Sequence, residues 1–137
     1  MHRTWTIIAL LAAALVPSLA GCGSDGTGGA EEGSVTPAQA AAEIETIKRL
    51  LDRALAQYRL GQVTAADRTA GDAYLEHFED VEDPLDERDH ELMEELEHSI
   101  STELRDRMKD RAPVGEVATL VAATKRDLDR AASALRE

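Results

Sequence analysis

The carboxylates of one short stretch carry the chain's best prospect of chemistry. In Ala73-Tyr74-Leu75-Glu76-His77-Phe78-Glu79-Asp80-Val81-Glu82-Asp83, Glu79 and Glu82 stand three residues apart. On a helix that spacing projects both from one side, flanking the apolar stripe that contains Phe78. A third carboxylate, Glu97, falls in the series Met93, Glu97, Ile100, Leu104, whose spacing turns it toward the same interior. Three carboxylates sent into one apolar space repel each other and lose hydration. A bound cation relieves both costs. Oxygen donors suit Fe, Mn, Ca or Mg, and a nearby imidazole shifts the choice toward a transition metal. His77 and His98 each neighbour these glutamates in sequence, so Glu79, Glu82, Glu97, His77 and His98 are the candidate metal ligands. The competing reading pairs Glu79 and Glu82 with Arg105, Arg53 or Lys48 and leaves the histidines in water. The Glu94-x-x-x-His98 match is weak, because Glu91 to Glu97 is dense in acids and such a pair arises there by chance.

Nothing in the chain resembles a nucleophile site. There is a single cysteine, no Gly-x-Ser-x-Gly and no glycine loop of phosphate-binding type before a helix. An enzyme is not expected. A divalent-cation-dependent carboxylate enzyme would need an open pocket beside the acids.

The elements that must hold these residues are helices. Thr36 is a good N-cap and Pro37 suits a first helical position. Ile44, Ile47, Leu51, Ala54, Leu55 and Tyr58 then recur at helical spacing as far as Gly61. A second helix is predicted from Thr64, with Asp67 completing a capping box; its stripe is Ala70, Tyr74, Phe78, Val81 and Leu85, and Asp83-Pro84 weakens its end. Asp86 to Asp89 form the turn. Asp89 caps a third helix carrying Leu92, Met93, Leu96, Ile100, Leu104 and Met108, which stops before Pro113. The fourth runs from about Pro113 with Val117, Leu120, Val121, Thr124, Leu128, Ala131 and Leu135 inward. The expected fold is all-α, an antiparallel up-down four-helix bundle over residues 36–137, since short connections force neighbours to run antiparallel.

Ahead of it stand two further segments. His2 and Arg3 precede an apolar run from Trp5 to Val16, then Leu19-Ala20-Gly21-Cys22. This reads as a signal peptide over 1–21 with a bacterial lipobox. The run is shorter than the roughly 20 residues of a membrane-spanning helix. Small residues at Ala20 and Gly21 give a peptidase access, and the Cys22 thiol takes the lipid. Two or three acyl chains, palmitate among them, anchor stably where one does not. Residues 22–35, rich in Gly, Ser and Glu, form a flexible tether. With the lone cysteine lipidated, no disulfide is left to the domain, despite an oxidising location. The expected location is therefore the cell envelope, outside the cytoplasmic membrane, on the periplasmic or cell-surface side.

Composition sets the class of partner. The chain holds 27 Asp and Glu against 15 Lys and Arg, a formal net charge of −12. Such a field repels nucleic acid and draws cations, so no nucleic-acid partner is expected.

Taken together, Tyr74-Leu75-Glu76-His77-Phe78-Glu79-Asp80-Val81-Glu82, then Leu85, Arg88-Asp89, Leu96-Glu97 and Leu104-Arg105, resemble the extracytoplasmic helical domain of the FTR1-type high-affinity iron permeases. In that domain a Tyr-Leu-x-x-Phe-Glu-x-x-Glu segment ends one helix, an Arg-Asp turn follows and the next helix carries an inward Glu. The likeness spans roughly Ile44 to Leu135. It implies Glu79, Glu82 and Glu97 as ligand positions; His77 stands where the family often has a small residue. The permeases also carry membrane helices with Arg-Glu-x-x-Glu motifs, and this sequence shows none. The resemblance thus implies a stand-alone lipoprotein that binds or delivers iron, as Fe2+ or Fe3+, or docks on an iron permease or other envelope protein, not a transporter. The alternative is a metal-free envelope interaction bundle that contacts a protein partner.

Overall fold

The computed structural model describes residues 35–137. The expected signal peptide, Cys22 and nearly all of the tether lie outside the described residues. Among the described residues there are helices and turns and no strand. Four helices account for them. Helix α1 is Pro37–Arg59. Helix α2, residues 63–86, is Val63–Ala73, a π-helical turn Tyr74–Phe78 and Glu79–Asp86. Helix α3, residues 90–109, is His90–His98, a second π-turn Ser99–Glu103 and Leu104–Lys109. Helix α4 is Val114–Ala134. None is long and apolar enough to cross a membrane.

The caps follow from the sequence with one correction. Thr36 closes a reciprocal capping box with Gln39: its hydroxyl accepts from the Gln39 backbone N–H, and the Gln39 side chain accepts from the Thr36 N–H at 2.9 Å. Asp89 accepts from the Leu92 N–H at 3.1 Å and starts α3. The expected capping box at Thr64 and Asp67 does not form. Helix α2 begins a residue earlier, at Val63, and its N-cap Gln62 makes no side-chain cap bond. Asp67 is drawn away by a stronger partner, accepting from Arg105 Nε at 2.9 Å. Pro84 does not end α2, which continues to Asp86 with the proline ring buried.

The core is a continuous, largely aliphatic seam whose buried aromatics are Phe78 and Tyr58. Ile44, Ile47 and Leu51 of α1, Phe78, Val81 and Leu85 of α2, Leu92, Leu96, Ile100, Leu104 and Met108 of α3, and Val117, Val121 and Leu128 of α4 are buried together. Helix α1 packs on both α2 and α4, and α3 packs on α2. At one end the Tyr58 hydroxyl donates to the Ala112 carbonyl at 2.6 Å, tying the end of α1 to the turn before α4. Along the α1–α4 seam, Lys48 reaches Asp129 and Lys125 reaches Asp52, each at 2.6 Å.

The π-turns have a cause in the spacing. Leu92, Leu96, Ile100, Leu104 and Met108 recur every four residues, as do Ala66, Ala70, Tyr74 and Phe78. An α-helix turns about 100° per residue, so each four-residue step overshoots by about 40°. Four such steps carry a stripe about 160° round the helix and out of the core. A π-turn takes up an extra residue in one turn and restores the stripe to the seam.

Candidate functional site

Two carboxylates meet where α2 and α3 face each other beside the first π-turn. Glu82 comes from α2 and Glu97 from α3, and both are half-buried. Between them stands the phenol of Tyr74, whose hydroxyl donates to Glu97 Oε1 at 3.4 Å. The Tyr74 ring stacks on Phe78, with centroids 6.1 Å apart and an interplanar angle of 28°. Phe78 is fully buried, so the phenol is carried on a fixed base.

The electrostatics of this group are unfavourable to charge. Glu82 Oε1 is buried and has no hydrogen-bond partner. Burial, and then the negative charge of Glu97, hold the Glu82 carboxyl above its ordinary pKa of 4.5; the Tyr74 hydroxyl offsets part of this. The phenol itself is pushed up to about 12, first by burial and then by the charges of Glu82 and Glu97. Neither Glu82 nor Glu97 forms an ion pair with a Lys or Arg among the described residues. Of the expected competing partners, Arg105 pairs with Asp67 and Lys48 with Glu45 and Asp129, and Arg53 pairs with neither Glu82 nor Glu97. A buried oxygen without a donor, in a group of like charge, is what a hard cation would satisfy. The three side chains offer only oxygen donors, and these suit such a cation.

The other sequence candidates lie elsewhere. Glu79 is exposed and, with Asp80, Asp83, Asp86 and Glu87, lines a cleft beside residues 35–37. His77 Nδ1 lies 2.7 Å from Glu43 Oε2, joining α2 to α1. His98 is exposed. Among the described residues no three His, Cys, Asp or Glu side chains converge closely enough to hold a metal ion. The five-residue set Glu79, Glu82, Glu97, His77 and His98 is therefore not assembled as one group. Glu82 and Glu97 are brought together, and Tyr74 completes them.

Sequence reasoning placed Tyr74 in the apolar stripe and missed its hydroxyl. A signal was present. Tyr74 and Glu82 are eight residues apart, which on an unbroken α-helix leaves them about 80° apart around the axis. The π-turn between them absorbs about one residue and brings them onto one face.

Compared with known proteins, the chain matches no protein-family model, no curated protein and no solved structure.

Proposed function

We propose that this chain is a lipid-anchored module outside the cytoplasmic membrane that binds iron and hands it on, or docks on an iron permease. The observation that carries the reading is the Glu82–Glu97 pair, with a buried oxygen on Glu82 that no protein donor satisfies. A cation there offsets the mutual repulsion and the lost hydration in one step. The Leu19-Ala20-Gly21-Cys22 lipobox supports the anchor, and the Tyr74 to Leu104-Arg105 pattern supports the link to iron. Anchoring keeps such a cargo carrier near the membrane it supplies.

The same reading arranges the four helices as an antiparallel up-down bundle. Its support is the shortness of the connections, residues 60–62, 87–89 and 110–113. The hydrogen bond from Tyr58 to Ala112, which draws two of those connections to one end, agrees with it.

Metal titration of the full chain in detergent, followed by thermal unfolding in far-UV CD, tests the reading. Ferrous iron (kept anaerobic), ferric citrate, manganese, zinc and calcium are added in turn to wild type and to a Glu82→Gln/Glu97→Gln variant. A ligand at a hundred times its dissociation constant adds about 2.7 kcal/mol, a rise of about ten degrees for a domain this size. The expected outcome is a rise with iron in wild type and none in the variant. Equal midpoints with and without every metal would overturn the reading.

One observation favours the metal-free alternative. Leu60 is 74% exposed and Leu75 is 59% exposed, and exposed leucines of that size suit a protein contact. In that case a proton on Glu82, rather than a cation, relieves the pair.

A further inference from the structure

We infer that this chain associates with copies of itself head to tail: the apolar, basic end formed by the turns after α1 and α3 docks on the acidic flank of α2 around Leu75 of the next copy. The contact needs no metal, so its failure and that of the iron reading are separate results.

Among the described residues the large apolar side chains left exposed are Leu60, Val114 and Leu75. Leu60 follows α1 and Val114 opens α4, and the Tyr58–Ala112 hydrogen bond joins their two turns at one end of the molecule. Residues 59–63 and 109–114, which form those turns, carry Arg59, Lys109 and Arg111 against one acid, Asp110. Leu75 is exposed on the first π-turn. Asp72 and Glu79 lie within about one turn of it on either side, Glu76 follows it, and no Lys or Arg falls between Arg68 and Arg88. Each patch is a leucine among charges of one sign, and the two signs are opposite.

Arg111 marks the basic end as a contact surface. It holds the left-handed conformation, φ +58°, that Gly61 fills at the matching turn, at a cost of about 1–2 kcal/mol. Its guanidinium, like that of Arg59, makes no ion pair among the described residues. An acid met in a neighbouring copy accounts for keeping a strained arginine there. A second copy carries the complement itself, an exposed leucine among acids. An anionic bilayer would also meet the arginines, but the twelve carboxylates between Glu76 and Glu97 oppose its approach.

The two patches differ, so the contact is heterologous. Each copy offers both, and association runs past the dimer into rings or open chains. Patches of this size place the contact at the weak end of specific interfaces. The net charge of −12 keeps copies apart at low salt. At about 0.15 M that long-range repulsion is screened beyond about 8 Å, while close pairs at a contact are screened less.

Sedimentation of the full chain in density-matched detergent, with micelles in excess, measures the association from about 10 μM to about 1 mM at about 0.15 M salt. Two variants each remove one patch: Leu60→Asn/Arg111→Asn at the basic end and Leu75→Asn/Glu76→Gln on the flank. All four residues are exposed, asparagine tolerates the left-handed conformation at position 111, and far-UV CD confirms that both variants are folded. Arg126→Glu, on the exposed face of α4, is the charge control. Wild type and Arg126→Glu should gain mass past the dimer as concentration rises. Each patch variant alone should associate at least tenfold more weakly. An equimolar mixture of the two should form dimers and stop there, because each supplies one intact patch. Wild type that is monomeric throughout, a patch variant that associates as wild type does, or a mixture that stays monomeric would overturn the contact. Amide exchange in vesicles with and without phosphatidylglycerol tests the other occupant. Protection of residues 59–63 and 109–114 that follows the lipid and not the protein concentration would assign the basic end to the bilayer and overturn the self-contact.

Discussion

At the scale of single residues, the Glu82 carboxyl is the point where burial and ionisation pull in different directions. Its pKa is raised by burial and by Glu97. A carboxyl whose pKa is higher folded than unfolded gives its full stabilisation at pH below the unfolded value, near the ordinary 4.5. That stabilisation is lost as pH rises through the folded value. Without metal, wild type should therefore lose stability relative to Glu82→Gln as pH is raised from about 4.5 to 7. At pH 7 the variant should be the more stable by about 1 kcal/mol, the lower range of what a buried polar group without a partner costs. Chemical denaturation of both chains across that pH range, in chelator, measures the difference. A constant gap between the two would show that Glu82 does not titrate differently on folding. His90 behaves with the same sign for a different reason. Asp86 and then Glu94 raise its pKa, so its pairing is strongest below about pH 6.5 and fades above; being fully exposed, it adds little.

At the scale of elements, the turns and the π-segments decide how much a sequence reader can see. The four helices were legible because caps and stripes agree: Thr36 with Gln39, Asp89 with Leu92, and apolar residues at helical spacing throughout. The π-turns were not read, although the runs of four-residue steps from Ala66 to Phe78 and from Leu92 to Met108 contain one each. The eye accepts i, i+4 as helical and does not add up the overshoot. The candidate site was half legible for the same reason. Glu82 and Glu97 were found because each sits beside buried residues in its own helix. Tyr74 was missed because its alignment with Glu82 depends on the π-turn, and Glu79 was overvalued because three residues of α-helix still set it about 60° round the axis from Glu82, where it is exposed. His77 was taken from the site by Glu43, thirty-four residues away in sequence, which no local pattern announces.

Two turns make a direct comparison of backbone strain. The chain leaves α1 through Gly61 at φ +74° and leaves α3 through Arg111 at φ +58°. Glycine adopts that left-handed conformation without steric cost, whereas a residue with a Cβ is strained by about 1–2 kcal/mol. Gly61→Ala should therefore destabilise, and Arg111→Gly should stabilise, each by about 1 kcal/mol, or about 4 °C in melting midpoint for a domain near 100 residues. Thermal unfolding of the two variants checks both signs. A third glycine gives the opposite case. Gly71 lies inside α2, and a Cβ there would meet the Arg105 guanidinium carbon at 3.5 Å, an ordinary contact. Gly71→Ala should hold the Arg105–Asp67 pair and stabilise by about 0.5–1 kcal/mol through helix propensity. A loss instead would mean that Arg105 needs the open backbone to reach Asp67.

At the scale of the whole molecule, charge is unevenly distributed along the chain. Twelve carboxylates and a single arginine fall between Glu76 and Glu97, nearly the whole net charge of −12 in the second half of α2, the turn and the start of α3. Helices α1 and α4 hold acids and bases in near balance and bind each other through Lys48–Asp129 and Lys125–Asp52. The acidic half surrounds Glu82 and Glu97. Two effects follow from one field. It raises the local concentration of cations at the carboxylate pair, and it strains the fold by self-repulsion. Salt should separate them. Most of these carboxylates are exposed, and the Debye length shrinks from about 30 Å at 0.01 M to about 8 Å at 0.15 M. The unfolding midpoint in chelator should therefore rise with sodium chloride over that range, although added salt also weakens the surface Lys–Asp pairs. It rises because repulsion within one segment outweighs a few exposed pairs worth about 0–1 kcal/mol each. On the proposed metal-binding reading, the on-rate for a divalent cation should fall over the same range, since screening removes the attraction that steers it in. Stopped-flow metal mixing beside salt-dependent melting tests the two together. A midpoint that falls with salt would mean that the Lys–Asp seam between α1 and α4, and not the acidic half, governs the electrostatics of folding.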